Sequence, residues 1–124
     1  MRADAQRNRQ RLLEVTIELI LEAGGEPSRD AIADRAGVGI GTLYRHFPDQ
    51  QALLHAVARH ALEKSIQQLE AQQTELLAEL EKQETYEKPG RAQQVNRELL
   101  NVQHRLAELN PQWEQEATKL SALD

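Results

Sequence analysis

Ala36-Gly37-Val38-Gly39-Ile40-Gly41-Thr42-Leu43-Tyr44-Arg45-His46-Phe47 is a glycine-punctuated corner running into a short helical segment. Glycines at alternate positions (Gly37, Gly39, Gly41) predict a turn that bulky side chains would obstruct, because glycine tolerates positive φ and lets backbones approach closely. Leu43 and Phe47 lie four apart, share one helical face and are expected to point inward. Thr42, Arg45, His46 and the Tyr44 hydroxyl fall on other faces and offer hydrogen-bond donors within little more than one turn, a set suited to gripping phosphates. Upstream, Pro27 and the N-cap candidate Ser28 open a second helical segment to Ala36, with Ile32 and Ala36 on one face. The order is helix, glycine turn, helix.

That order defines a helix-turn-helix, in which the second helix enters the DNA major groove and the first lies across the backbone. From about Arg9 to Glu63 the chain resembles the DNA-binding domain of the TetR family of bacterial transcription regulators, most closely from Ala36 to Pro48. The resemblance implies a repressor-like regulator that binds double-stranded DNA sequence-specifically. It also implies contacts from Tyr44, Thr42 and His46 to phosphates, from Arg45 and Ile40 to base edges, and from Arg29 to the backbone or a base. One departure stands out: the family often has lysine two residues after the proline that follows the recognition helix, and here that place holds Gln50. Weaker phosphate affinity is the expected consequence.

Length and charge bound the remaining readings. The 124 residues suit one domain, or a small domain with an extension. Aromatics are only 3% of the chain, so any core must be filled by Leu, Ile and Ala on helices. Without cysteine there is no disulfide framework, thiolate metal site or thiol nucleophile. No apolar run is long enough for a membrane span or a signal peptide, and a cytoplasmic protein is expected. The net charge of −5 speaks against nucleic acid only until its distribution is read. Residues 1–60 carry eight Arg and no Lys against eight acids, and the acidic excess lies entirely beyond His60. Arginine alone supplies the cations of the first half, which suits bidentate contacts to phosphate and guanine.

In chain order, Arg2, Arg7, Arg9 and Arg11 line an N-terminal arm that, in the resembled family, lies beside DNA. Leu12, Val15, Leu19 and Ile20 keep helical spacing, and Leu13, Ile17 and Leu21 widen the stripe. Gly24, Gly25 and Pro27 end that helix. After Phe47, Pro48 breaks the recognition helix and Asp49 is placed to cap the next. Ala52, Leu53, Ala56 and Val57, with Leu54 alongside, give that helix a face to close the three-helix core. His55 and His60, five apart, lack the spacing of a helical metal pair and read as surface histidines.

Beyond His60 the pattern changes. Leu62, Ile66, Leu69, Gln73, Leu76 and Leu80 form a heptad seam with one polar interruption. After a break over Thr85–Gly90, a second seam follows through Val95, Leu99, Val102, Leu106, Leu109, Trp113, Glu116, Leu120 and Leu123. Helices over Asp49–Glu84 and Arg91–Leu123, joined through Pro89-Gly90, predict an antiparallel coiled-coil hairpin, with Pro111 a candidate kink. This half resembles the C-terminal hairpin of ABC-F ATPases, with Tyr86 before the turn and the late Trp113 as its marks. No Gly-rich phosphate loop ending in Lys-Ser or Lys-Thr accompanies it. Head and hairpin together resemble a chimera.

The expected architecture is all-α: a three-helix helix-turn-helix head (1–60) continuing into an antiparallel coiled-coil hairpin (61–124). Residues 61–124 are too few to enclose a ligand pocket in the TetR manner, so neither a cofactor nor a small-molecule inducer is expected. A homodimer through the hairpin is expected, because helix-turn-helix proteins place two recognition helices about 34 Å apart. The acids fall on heptad outer positions, and Tyr44 and His46, two apart, do not face each other, so no enzyme is expected. The rival reading is a coiled-coil protein-interaction module, or a ribosome- or nucleic-acid-binding one, with a fused head.

Overall fold

A computed structural model describes residues 2–123, apart from the side chains of Arg2 and Leu123, so the expectations for those two fall outside the described residues. The protein is all-α. Six helices follow one another: α1 (Arg2–Ala23), α2 (Arg29–Ala36), α3 (Ile40–His46), α4 (Gln50–Leu80), α5 (Gln83–Glu87) and α6 (Arg91–Leu123). Two compact units divide the chain, one of residues 1–60 with 116–124 and the other of residues 61–115. α4 and α6 each contribute to both.

The first unit is closed by apolar residues of α1 to α4, with Leu120 of α6 packed against them. Leu12, Leu13 and Val15 of α1 meet Ile32 and Ala33 of α2, Leu43 and Phe47 at α3, and Leu53, Ala56 and Val57 of α4. Leu12, Val15, Ile32, Leu43, Phe47 and Leu53 have lost essentially all contact with water. Fully burying a side chain of this size stabilises by about 1.5–3 kcal/mol, so this cluster is the main energetic reason for the head's fold. Thr16 is buried among them, and its hydroxyl donates to the Leu12 carbonyl at 2.7 Å, which removes the cost of burying it. Leu21 departs from the expected stripe: it is 79% exposed, because the apolar arc of α1 is already met by Leu13 and Ile17 and leaves Leu21 outside.

Local chemistry sets the ends of these helices. Gly24 adopts φ 75° and its N–H bonds the Ile20 carbonyl at 2.8 Å, ending α1. Ser28 caps α2 as expected, its Oγ accepting from the Ala31 N–H at 3.1 Å. Gly37 takes φ 74°, and the N–H groups of Gly37 and Val38 bond the Asp34 and Ala33 carbonyls, the paired pattern of a left-handed C-terminal cap. Gly39 and Gly41 behave differently from the sequence expectation. Neither has positive φ, and a Cβ on either would meet nothing within 4 Å, so the fold of this corner requires only Gly37. Asp49 caps the start of α4, accepting from the Ala52 N–H at 2.8 Å.

In the second unit Ile66 and Leu76 of α4 pack with Val95, Leu99, Val102, Leu106 and Leu109 of α6, flanked by Leu62, Leu69, Leu80 and Trp113. The two helices thus meet along the expected heptad as an antiparallel hairpin from Leu62 to Trp113, whereas the late seam residues Glu116 and Leu120 belong to the first unit, Leu120 packing against its core. α4 stops at Leu80 rather than Glu84, and α5, over Gln83–Glu87, overlaps the first half of the expected break. The cause is side-chain capping of orphan carbonyls. The buried Thr85 hydroxyl donates to the Glu79 carbonyl at 2.5 Å, and the Tyr86 hydroxyl to the Leu80 carbonyl at 2.7 Å. Arg91 forks onto Glu79 through bonds of 2.6 and 2.8 Å, and this hydrogen-bonded guanidinium holds the Glu79 carboxyl below its ordinary pKa. Pro111 does not interrupt α6, which runs unbroken to Leu123.

Candidate nucleic-acid interface

α3 is seven residues long, and one residue within it and its C-cap decide how it is held. Leu43 and Phe47, four apart, are fully buried and anchor the helix to the core. This turns the opposite face outward. Ile40 is 41% exposed and Tyr44 49% exposed, Arg45 is exposed beside them, and Thr42 and His46 are half-buried. Five of the six residues expected to form the site therefore lie on one helix. Arg45 Nη2 donates to Thr42 Oγ1 at 3.2 Å, so these two side chains travel together on the surface.

The sixth, Arg29, comes from the first residue of α2 and is half-buried. Its guanidinium lies 4.3 Å from the centroid of the Tyr44 ring. Nη2 donates to the Phe47 carbonyl, and Nη1 donates to Gln50 Oε1 at 3.4 Å. Gln50 Nε2 in turn donates to Glu26 Oε2 at 3.4 Å. The residue marked as a departure, Gln50, thus uses both ends of its amide inside the head, accepting from one charged group and donating to another.

Arg9 belongs with this group, although the sequence did not separate it from its neighbours in the arm. Its guanidinium sits 4.9 Å from the centroid of the Phe47 ring, whereas Arg7 pairs with Asp4 at 2.6 Å. Spacing along α1 carries a usable signal: Arg9 precedes buried Leu12, Leu13 and Thr16 by three, four and seven positions, on the flank of the buried face. Burial first, then the positive charges of Arg9 and Arg45, holds the His46 imidazole below the ordinary histidine pKa of 6.5. The site is a short helix with a cationic end, a hydroxyl-bearing face and an exposed aliphatic side chain at its start.

His55 is a correction to the sequence reading. It is half-buried rather than a simple surface histidine, and its partner is Glu116, a seam residue 61 positions away. Among the described residues, no group of three or more His, Cys, Asp or Glu is arranged to hold a metal ion, and no helix is long and apolar enough to cross a membrane.

Three helices with a short, outward-facing third one define the helix-turn-helix class. Residues 12–57 match the model of the bacterial regulatory proteins of the tetR family. Over 64 residues the chain is 45% identical to the HTH-type transcriptional regulator SAUSA300_2515 of Staphylococcus aureus (strain USA300), and equally to the regulator SA2364 of strain N315. Each alignment covers 51% of this chain and 35% of the relative, so the chain spans about a third of the length of the curated relatives it matches. No solved structure matches.

Proposed function

We propose that this protein is a sequence-specific double-stranded DNA-binding transcription regulator, repressor-like in action, whose contacts come from α3. The observation that carries the reading is the split of α3 into a buried anchor, Leu43 and Phe47, and an outward side on which Tyr44 and Arg45 are exposed and Thr42 and His46 half-buried. A helix so held presents donors to phosphates and a guanidinium to base edges without strain in its own core. Tyr44, Thr42 and His46 serve phosphates, Arg45 and Ile40 serve bases, and Arg9 adds a cation at the C-terminal end of the helix. The net charge of −5 does not oppose this, because Arg9 and Arg45 place positive charge at His46 and Arg29 places it over Tyr44.

Two finer statements belong to the same reading. The hairpin joins two copies of the chain, an inference supported by Leu77 and Leu100, which remain 45% and 56% exposed outside the buried seam. The second is that duplex binding by this chain needs no small molecule, which a thermal-shift screen of apolar inducers tests: a saturable stabilisation that also releases DNA overturns it.

Selection of bound sequences from a random duplex library tests the whole reading, since enrichment reports DNA binding and the symmetry of the enriched site reports pairing. An RNA of equal length, titrated in parallel, separates the alternative suggested by the ABC-F-like hairpin. Preference for the RNA, with no enriched duplex, would replace the DNA reading with a ribosome- or RNA-contacting one. Binding to neither leaves the coiled-coil interaction module.

A further inference from the structure

Arg29 stands at the first turn of α2, yet its guanidinium reaches three places outside that helix: the carbonyl of Phe47 at the end of α3, the ring face of Tyr44, and the amide of Gln50 at the start of α4. It thereby ties the end of α3 to the start of α4. Phe47 is the C-terminal cap residue of α3, with φ −135° and ψ 85°, so its carbonyl has left the helical ladder and needs an outside donor. A planar cation meets all three demands at once. Nη1 and Nη2 donate to the two oxygens while Cζ lies over the ring, a spread of contacts that a compact ammonium cannot match. The Nε atom is buried without a hydrogen-bond partner, so this guanidinium is held away from water on that side too.

The geometry points to Arg29 as a positioning residue: it fixes the Tyr44 ring and the C-terminal end of α3 in the orientation that meets DNA, and makes no phosphate or base contact of its own. The inference rests on the proposed DNA-binding function. It also explains why Gln50 suits this chain. An amide oxygen accepts from Arg29 while the amide nitrogen donates to Glu26, whereas lysine at this position would offer no acceptor and would set a second cation beside the first.

The test uses the full chain, with Arg29→Lys, Arg29→Gln, Tyr44→Ala and the Arg29→Gln/Tyr44→Ala double variant. Each is titrated over a range of salt against the library-enriched duplex and a scrambled duplex of equal length. A positioning role gives a loss of roughly tenfold on the enriched duplex for both Arg29 variants. It also leaves the salt slope of Arg29→Lys at the wild-type value and makes the double variant weaker than Tyr44→Ala by clearly less than the Arg29→Gln loss alone. A direct phosphate contact gives the opposite pattern: Arg29→Lys retains affinity, Arg29→Gln lowers the slope by about 0.9, and the losses add. That pattern overturns the inference. In the free protein, the Tyr44 ring proton resonances shift in Arg29→Lys with the thermal melt preserved. An unmoved ring signal overturns the clamp whatever the DNA result. Failure of the wild type to bind any duplex overturns the DNA reading itself, and the positioning role with it, before any substitution is compared.

Discussion

His55 Nδ1 lies 2.7 Å from Glu116 Oε2, joining a helix that begins just after α3 to a residue 61 positions later in the chain. Glu116 also lies 3.5 Å from Lys119, and one turn beyond Glu116, Leu120 packs against the head core. The head is therefore not closed by its first sixty residues alone. The carboxylate on an otherwise apolar seam has a physical reason, since an apolar residue at position 116 would leave the half-buried imidazole without its partner.

Leu120→Ala is expected to destabilise the head by about 1–2 kcal/mol, below the range for a fully buried leucine because Leu120 is only partly covered. A double-mutant cycle on His55→Ala and Glu116→Ala is expected to give a coupling of up to about 1 kcal/mol. Urea denaturation followed by helicity measures both. Equal midpoints for wild type and Leu120→Ala would show that the segment adds nothing to the head.

Tyr44→Ala and Arg45→Ala are expected to differ in kind. Loss of the tyrosine contact should weaken binding to all duplexes about equally, whereas loss of the guanidinium should cost about 1–3 kcal/mol on the selected site and relax one base position. Library selection repeated with each variant reads the difference. Uniform losses in both would remove Arg45 from base reading.

Lowered by burial and by Arg9 and Arg45, the His46 pKa has a definite sign in two measurements. In the free protein the folded state binds this proton less readily than the unfolded chain. This contribution to stability therefore falls as pH drops from the ordinary value of 6.5 through the lowered one, and is restored above 6.5. A phosphate at His46 reverses the preference, so duplex affinity is expected to rise as pH falls through the same window. His46→Gln should flatten both trends. A duplex affinity independent of pH in the wild type would exclude a phosphate contact from this residue.

The glycines of the corner should separate by function. Gly37→Ala is expected to cost about 1 kcal/mol, because φ 74° is unfavourable for any residue with a Cβ. Gly41→Ala, within α3 and with open space at its Cβ, is expected to leave stability unchanged or raise it by up to about 0.5 kcal/mol while weakening duplex binding. Thermal melts and binding titrations on the same samples check this. Unaltered binding by Gly41→Ala would mean that nothing outside the chain approaches that backbone.

Pairing through the hairpin predicts a dimer mass in sedimentation equilibrium at micromolar concentration, shifted toward monomer by Leu77→Glu and Leu100→Glu. A clean monomer with intact helicity in the wild type would leave the hairpin a stalk.

Much of this protein was legible in residue order alone, and the reasons are local. Helix periodicity, the Ser28 and Asp49 caps, the left-handed stop at Gly37 and the heptad seams depend on neighbours within seven positions, so spacing determines them. The outward face of α3 follows as well, because burying Leu43 and Phe47 leaves Tyr44 and Arg45 no other direction. What only the tertiary structure decided is every relation that spans the chain. Arg29 meeting Phe47, Gln50 and Tyr44, Arg9 lying over the Phe47 ring, and His55 finding Glu116 all depend on how separate helices pack. So does the end of α4 at Leu80, where Thr85 and Tyr86 fold back to cap carbonyls that periodicity would have kept in the helix. A side chain's partner across such distances is chosen by packing and desolvation, which no short-range pattern encodes.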